Sequence, residues 1–244
     1  MKTVRFRDES GMTRTGEWRD GQIHARGKTI DPETVDVLPP AEPTKIVCQA
    51  GGYVEHRRES DVEELPDRPE FFLKTPNCVI GHGDAIELPP GREDVEFEAE
   101  FAVVIDRQCR SVSPEEALDY VRGYTCVNDV SNRKDQAEER NWVRGKAFDA
   151  SLPMGPVLAT PDEIPDDAAL ELRQNGTVKQ ETTTEHMIFS VAELVAEISE
   201  FITLEPGDVV ATGTPYGPDR LAPGDVVEVE FEGVGTLRNP VVEG

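Results

Sequence analysis

At 244 residues the chain is long enough for one full domain with a sizeable core, or for a small domain joined to a larger one, and too short for a multi-domain machine. Its 25 Lys and Arg face 49 Asp and Glu, a formal charge of −24, which sets the surface against phosphate backbones and excludes nucleic acid as a partner. The acid is scattered among periodic apolar segments instead of gathered in a tail, so a folded protein is expected.

The start, Met1 to Gly11, lacks the apolar core of a signal peptide. No stretch approaches the roughly 20 apolar residues of a membrane span. A cytoplasmic location with no membrane partner is expected, and Cys48, Cys78, Cys109 and Cys126, widely spaced with no C-x-x-C pair, read as reduced thiols.

In chain order, residues 1–42 read as a small strand-rich unit: Thr3 to Arg7 alternates, Asp20-Gly21 marks a turn, and Leu38-Pro39-Pro40 marks a boundary. Stronger apolar runs follow in a main domain over 43–244. Strands are predicted at Ala85–Leu88, Val95–Ile105, Tyr124–Asn128, Val209–Thr212 and Val226–Phe231. Ser113-Pro114-Glu115-Glu116 is a capping box that predicts a helix ending near Gly123, with Ala117, Leu118 and Val121 on one face. Ser190-Val191-Ala192-Glu193 predicts a second, with Leu194, Val195, Ile198, Phe201 and Ile202 as its apolar stripe and Pro206-Gly207 closing the segment. Pro-Gly-Asp-Val-Val occurs at 206–210 and 223–227, which reads as one turn reused before two strands. Many strands and few helices predict a mixed α/β, mainly β fold: a rolled or barrel-like sheet with peripheral helices. Neither a Walker A nor a G-x-G-x-x-G motif occurs.

Val95 to Phe101 alternates, with Glu96, Glu98 and Glu100 on one face. Alone this is an ordinary solvated face, but the strand continues as Ala102-Val103-Val104-Ile105, apolar on both sides, where free carboxylates are costly. Asp129, at the end of the 124–128 run, completes an all-oxygen set suited to Mg²⁺, Mn²⁺ or Ca²⁺. Four His without ligand spacing make a zinc site improbable.

Together, Lys45-Ile46-Val47-Cys48 with Tyr53 and His56, Phe72-Leu73-Lys74, Glu98-Ala99-Glu100, Asn128-Asp129-Val130-Ser131, Arg144-Gly145-Lys146, Leu204-Glu205-Pro206-Gly207-Asp208, Thr212-Gly213-Thr214-Pro215 and Gly235 to Pro240 resemble the motifs of the fumarylacetoacetate hydrolase family, in the same order. The resemblance implies Glu98, Glu100 and Asp129 as ligands of Mg²⁺ or Mn²⁺. It further implies Lys146 as a lysine near the metal, a His56-Glu59 dyad on a lid, and a homodimer. Tyr53, Arg133, Gln136, Gln180 and Thr214 are candidate substrate contacts. Trp142 reads as packing, and His24, His82 and His186 as structural or solvated. The family often has Gly-Leu-Asn where this chain has Ala50-Gly51-Gly52, and Ser-Ala-Arg-Asp where it has Ser131-Asn132-Arg133-Lys134.

The chemistry follows from these groups. A hard cation chelates a 2-oxo or 1,3-dioxo acid and stabilises the enolate formed when a C–C bond breaks. Lys146 adds positive charge there, and His56, oriented by Glu59, takes a proton from water. The expected activity is hydrolysis or decarboxylation of an acylpyruvate, fumarylacetoacetate or oxaloacetate type of substrate. The alternatives are isomerisation of a 2-hydroxyhepta-2,4-diene-1,7-dioate or 5-carboxymethyl-2-hydroxymuconate, and a non-catalytic Ca²⁺-binding β-rich protein.

Self-repulsion at −24 opposes folding at low ionic strength, and salt screens it. Only seven of the 25 cations are Lys, and acid stands where surface Lys is usual, a bias that points to an intracellular protein of a halophilic archaeon. Thermal melts should therefore shift upward between low salt and molar KCl; an unchanged midpoint would contradict the halophile reading.

Overall fold

β-branched and aromatic runs punctuated by Gly, Pro and Asp become strands here, because those side chains pack on a pleated surface and the punctuating residues supply the turns. The computed structural model describes residues 1–54 and 65–244. The chain runs through β1 (Lys2–Arg7), β2 (Thr13–Arg19), β3 (Gln22–Ala25), β4 (Lys28–Ile30), β5 (Asp36–Leu38), β6 (Ile46–Ala50), β7 (Glu70–Lys74), β8 (Val79–Ile80), β9 (Ile86–Leu88), β10 (Val95–Glu96) and β11 (Ala99–Ile105). Helix α1 (Pro114–Ala117), β12 (Val121–Asn128), β13 (Ser131–Asn132), α2 (Arg133–Glu138) and α3 (Val143–Lys146) follow. The remainder is β14 (Leu152–Ala159), β15 (Ala169–Gln174), β16 (Thr177–Thr183), α4 (Val191–Phe201), β17 (Val209–Ala211), β18 (Val226–Phe231) and β19 (Gly235–Glu243).

The larger sheet has the order β4-β3-β2-β1-β14-β12-β11-β17-β6-β7, with β5 on β1 and β8 on β14. A second sheet, β16-β15-β18-β19-β9, packs on it, and Phe101 stacks on Phe231 across the two with centroids 4.8 Å apart. Neither sheet closes into a barrel among the described residues. The strands of the first 38 residues extend the larger sheet directly, β1 pairing with β14 through Lys2↔Ala159 and Thr3↔Leu158. All four cysteines are buried and free. No helix among the described residues is long and apolar enough to cross a membrane.

Three elements depart from the sequence expectation. The 113–123 helix is short: after Ala117 the chain tightens into a 3₁₀ turn over Leu118–Tyr120, leaving Leu118 52% exposed, and Val121 already pairs with Ile105 in the sheet. In α4 the capping box forms and Leu194, Val195 and Ile198 are buried, but Phe201 is 62% exposed with the Arg68 guanidinium over its ring. Ser199 takes a core position in that last turn, bonding the Val112 amide and the Ala196 carbonyl. The continuous 95–105 strand is broken between Glu96 and Ala99, a break that shapes the candidate site.

The repeated pentapeptide is a reused turn: Gly207 and Gly224 both have positive φ, 88° and 95°, and the strands that follow lie in different sheets. Asp208 anchors the first copy. Its buried carboxylate accepts from the Thr44 amide (2.9 Å) and hydroxyl (2.7 Å), the Lys45 amide (3.1 Å) and the Glu205 amide (2.7 Å), and pairs with the Lys45 ammonium. Burial pushes this carboxyl up, but the bonds to Lys45, Glu205 and Thr44 outweigh it and hold it below its ordinary value of 3.8. Asp208→Ala should cost about 3 kcal/mol in urea unfolding at neutral pH, since it strips one buried charge from its donors. A depressed folded value means this stabilisation is present above 3.8 and fades as pH falls through the folded value, so the gap to wild type should close in acid.

Candidate metal centre

β11 and β12 are antiparallel neighbours whose ends meet. They pair from Ile105↔Val121 down to Glu100↔Val127 and Ala99↔Asn128, and just beyond, the Asp129 amide donates to the Glu98 carbonyl at 2.9 Å. The Glu98 amide donates to the Asn128 side chain at 2.9 Å, which takes Glu98 off the ladder and accounts for the break after β10. The carboxylates of Glu98, Glu100 and Asp129 thereby converge, with ligand oxygens within 4.8 Å of one another and residue exposures of 4%, 1% and 0%. Glu96, third member of the alternating set, stays outside and pairs with Arg133 at 2.6 Å.

Two buried lysines meet this charge. Lys146 ends α3 and donates to Glu98 at 2.6 Å and Asp129 at 2.7 Å. It reaches them because α3 packs closely on α2: a Cβ at Gly145 would lie 2.7 Å from the Gln136 Cα, so the glycine of Arg-Gly-Lys is a packing requirement. Lys74, at the end of β7, lies 2.8 Å from the other Asp129 oxygen and donates to the Ser151 hydroxyl at 3.0 Å and to the Lys146 carbonyl. Burial disfavours the Lys146 ammonium, yet the charges of Asp129 and Glu98 outweigh it and raise its pKa above the usual lysine value, so it is a fixed cation near neutral pH. Arg133 is raised likewise, burial opposing and Glu98 and Glu96 prevailing.

Glu100 is served differently. It accepts the Gly213 amide at 2.8 Å and has no ion-pair partner among the described residues. Burial, then the charges of Asp129 and Glu98, push its carboxyl well above the ordinary carboxylate range. Gly213 is glycine for two reasons: φ is +89°, and a Cβ would stand 2.7 Å from the Gly52 amide nitrogen. Three buried hard oxygen donors, one of them without an ion-pair partner among the described residues, fit a divalent Mg²⁺ or Mn²⁺-type ion; they are unlike the N and S sets of structural zinc.

A cavity of about 110 Å³ opens onto the cluster, lined by Gln49, Ala50, Gly51, Phe72, Glu98, Glu100, Arg133, Gln136, Trp142, Lys146 and Thr214. A larger groove of about 440 Å³ lies on β1 to β4, but it gathers no buried carboxylate cluster and its Asp8 is already paired with Arg14 at 2.7 Å. Of the sequence candidates, Arg133, Gln136, Lys146 and Thr214 thus share a wall with the triad. Gln180 does not: its amide is consumed by the Ala99 amide (2.9 Å), the Thr214 hydroxyl (2.9 Å) and the Pro215 carbonyl (3.1 Å), so it holds the Thr214 loop in place. Tyr53 is fully buried and bridges to Met187, and is not itself among the residues lining the cavity. His56 and Glu59 lie outside the described residues. Trp142 does pack edge-on to Phe72 at 5.5 Å, and both rings also wall the cavity. His24, His82 and His186 are not among its lining residues; they bond to Thr29, the Arg238 amide and Thr182.

Sequence reasoning gave no role to Lys74 or Gln49. The signal for Lys74 was a lysine closing the apolar run Phe71-Phe72-Leu73 in a chain with seven lysines, and for Gln49 a lone amide in an otherwise apolar strand. Lys74→Met should destabilise the protein by about 3–5 kcal/mol, because it leaves Asp129 short of one buried partner. Millimolar Mg²⁺ or Mn²⁺ should restore more stability to this variant than it adds to wild type, read as the difference in melting midpoint with and without metal.

A sequence model described as the C-terminal domain of fumarylacetoacetate (FAA) hydrolase matches residues 45–242. The chain is 39% identical over 217 residues to the mitochondrial oxaloacetate tautomerase of Xenopus laevis, covering 84% of this chain and 68% of that protein. Its fold is similar to that of 5-carboxymethyl-2-hydroxymuconate delta-isomerase from Mycobacterium smegmatis, with a TM-score of 0.90, 33% identity, and 100% and 99% of the two chains covered. It is also similar to maleylpyruvate hydrolase from Sphingobium, solved with manganese(II) and pyruvate, with a TM-score of 0.83, 27% identity and both chains fully covered. The matched span takes in every strand and helix that carries the carboxylate cluster and its lysines, and the chain belongs to the fumarylacetoacetate hydrolase family.

Proposed function

We propose that this chain is a divalent-metal-dependent enzyme that cleaves a C–C bond in a small 2-oxo or 1,3-dioxo acid, of the acylpyruvate, fumarylacetoacetate or oxaloacetate type. The observation that carries the reading is the buried triad Glu98, Glu100 and Asp129, within 4.8 Å, with the Lys146 ammonium shared between two of its members at the cavity wall. These three carboxylates would hold Mg²⁺ or Mn²⁺, and such an ion supplies Lewis-acid polarisation of the substrate's oxo group. Lys146, whose ammonium stands 2.6 Å from Glu98 and 2.7 Å from Asp129, would place positive charge where an enolate oxygen gains negative charge. Phe72 and Trp142 limit water at that wall, which strengthens the electrostatics. The Gly213 amide fixes Glu100, and Gln180 fixes Thr214. His56, oriented by Glu59, is the base that activates water for hydrolysis in this reading.

A second reading, proton transfer without cleavage, is favoured by similarity to a protein named as an oxaloacetate tautomerase and to one named as a hydroxymuconate isomerase. Both readings use the enolate; hydrolysis of an acylpyruvate or fumarylacetoacetate type of acid also needs an attacking water, whereas decarboxylation of oxaloacetate and isomerisation do not. Turnover of oxaloacetate, an acylpyruvate and a hydroxymuconate isomer should be measured with Mg²⁺, Mn²⁺ or EDTA in molar KCl. Cleavage that EDTA abolishes supports the first reading. His56→Ala should then lose hydrolytic cleavage of the acylpyruvate; if it keeps full turnover with no cleavage product, the isomerase is the function. Lys146→Met should lower kcat by about 10²–10³-fold, the usual cost of removing one electrostatic stabiliser. Glu98→Ala should lose metal-dependent turnover while the fold survives, and full activity of that variant in EDTA would remove the mechanism. Metal binding without turnover of any of the three acids would leave a Ca²⁺-binding protein as the better account.

A further inference from the structure

Glu96 is the carboxylate of the alternating set that the triad leaves out, yet it is not simply solvated. Its side chain is 20% exposed and accepts the Arg133 Nε at 2.6 Å. The Arg133 guanidinium is engaged on its other edges as well, Nη1 donating to the Gln136 Oε1 at 3.0 Å and Nη2 pairing with the Glu98 carboxylate. Of these three acceptors only Glu98 belongs to the candidate metal set, where it also receives Lys146 at 2.6 Å. A cation on Glu98 competes with Arg133 for the same oxygens, whereas Glu96 and Gln136 have no such competitor.

Backbone contacts support this division. Glu96 sits on β10, which pairs with β13 through Glu96↔Ser131 and Val95↔Asn132, and the Arg133 amide donates to the Asp94 carbonyl at 2.9 Å. The strand carrying Glu96 and the first turn of α2 carrying Arg133 are therefore joined through their backbones beside the cavity that Arg133 lines. We infer that Glu96 is a positioning residue: it holds Arg133 at the rim when a metal takes Glu98, so that the freed Nη2 edge meets the anionic group of the bound acid. Arg133 is in this sense an exchangeable counter-ion, on Glu98 without metal and on substrate with it. The inference rests on the metal-dependent 2-oxo acid reading above.

The test uses the full chain, Mn²⁺, and oxalate as a non-reacting dianion that chelates a hard cation. Titration calorimetry gives the Kd of Mn²⁺ and then the Kd of oxalate for the Mn²⁺-loaded protein, in wild type, Glu96→Gln, Arg133→Met and the double variant. Each single variant should weaken oxalate by about 10-fold or more, the range for a lost charge-assisted hydrogen bond. The double variant should be no weaker than Arg133→Met alone, because Glu96 acts through Arg133. Mn²⁺ should bind Arg133→Met as tightly as wild type or more tightly, since a competitor for Glu98 has gone. A merely structural role for Glu96 predicts the opposite, Mn²⁺ and oxalate weakening together in Glu96→Gln. That result, unchanged oxalate affinity in Glu96→Gln, or factors that multiply in the double variant would each overturn the inference. Mn²⁺-loaded wild type that fails to bind oxalate would overturn the inference together with the reading beneath it.

Discussion

Three carboxylates buried at the end of a sheet are the constraint to which the rest of the structure answers. Each loses several kcal/mol of hydration when it leaves water, and only opposite charge and hydrogen bonds at close range offset that. The surroundings of Glu98, Glu100 and Asp129 match this need: Lys146 lies between Glu98 and Asp129, Lys74 stands behind Asp129, Arg133 covers Glu98, and Glu100 has one peptide N–H. Among the described residues, three carboxylates thus face three cationic side chains, unevenly shared. The deficit falls on Glu100, whose carboxyl burial and its two acidic neighbours push up. A converging set with one member unpaired among the described residues suits a divalent cation, the occupant proposed for it.

Backbone geometry makes the convergence possible, and two glycines are required for it. Gly213 approaches Gly52 so closely that any side chain would collide, and its amide is thereby aimed at Glu100. Gly145 lets α3 settle on α2 and delivers Lys146. The carboxylates come from neighbouring strand ends, the lysines from β7 and α3, and the cavity wall from four further segments. The sheet core, with Phe101 stacked on Phe231, fixes the strands whose ends carry the chemistry.

How much of this was legible in the sequence follows from which interactions are local. Capping boxes at Ser113 and Ser190 and the Pro-Gly turns are contacts within four residues, and the structure has them where the sequence has them. Alternation gave the strands but not the break at Phe97–Glu98, because that break depends on the Asn128 side chain 30 residues away. Strict alternation also grouped Glu96 with Glu98 and Glu100; the break separates it. The Arg-Gly-Lys motif of the family resemblance points to Lys146, whereas Lys74 has only the weak signal of a lysine closing an apolar run, and its burial depends on β6 pairing with β7 and on Ser151 coming up beside it. Gln180 was chosen as a polar residue for substrate, whereas the fold spends its amide on the Ala99 amide and the 214–215 loop, partners fixed only by tertiary structure.

The distribution of charge between surface and site carries a last consequence. At −24 the molecule repels anions at long range, and the substrate proposed for it, a 2-oxo acid, is an anion. Attraction must then come from within, where Lys146 and Arg133 line the cavity and dielectric screening is weak. The surface field decays over a Debye length, about 3 Å in molar salt, whereas charges buried beside the cavity are screened far less. An acid-coated protein and an anion-binding centre are therefore compatible in concentrated electrolyte: salt removes the repulsion at the mouth and leaves the attraction inside. An acidic surface therefore does not oppose the proposed chemistry in concentrated salt, and two of the seven lysines, Lys74 and Lys146, lie inside the cluster.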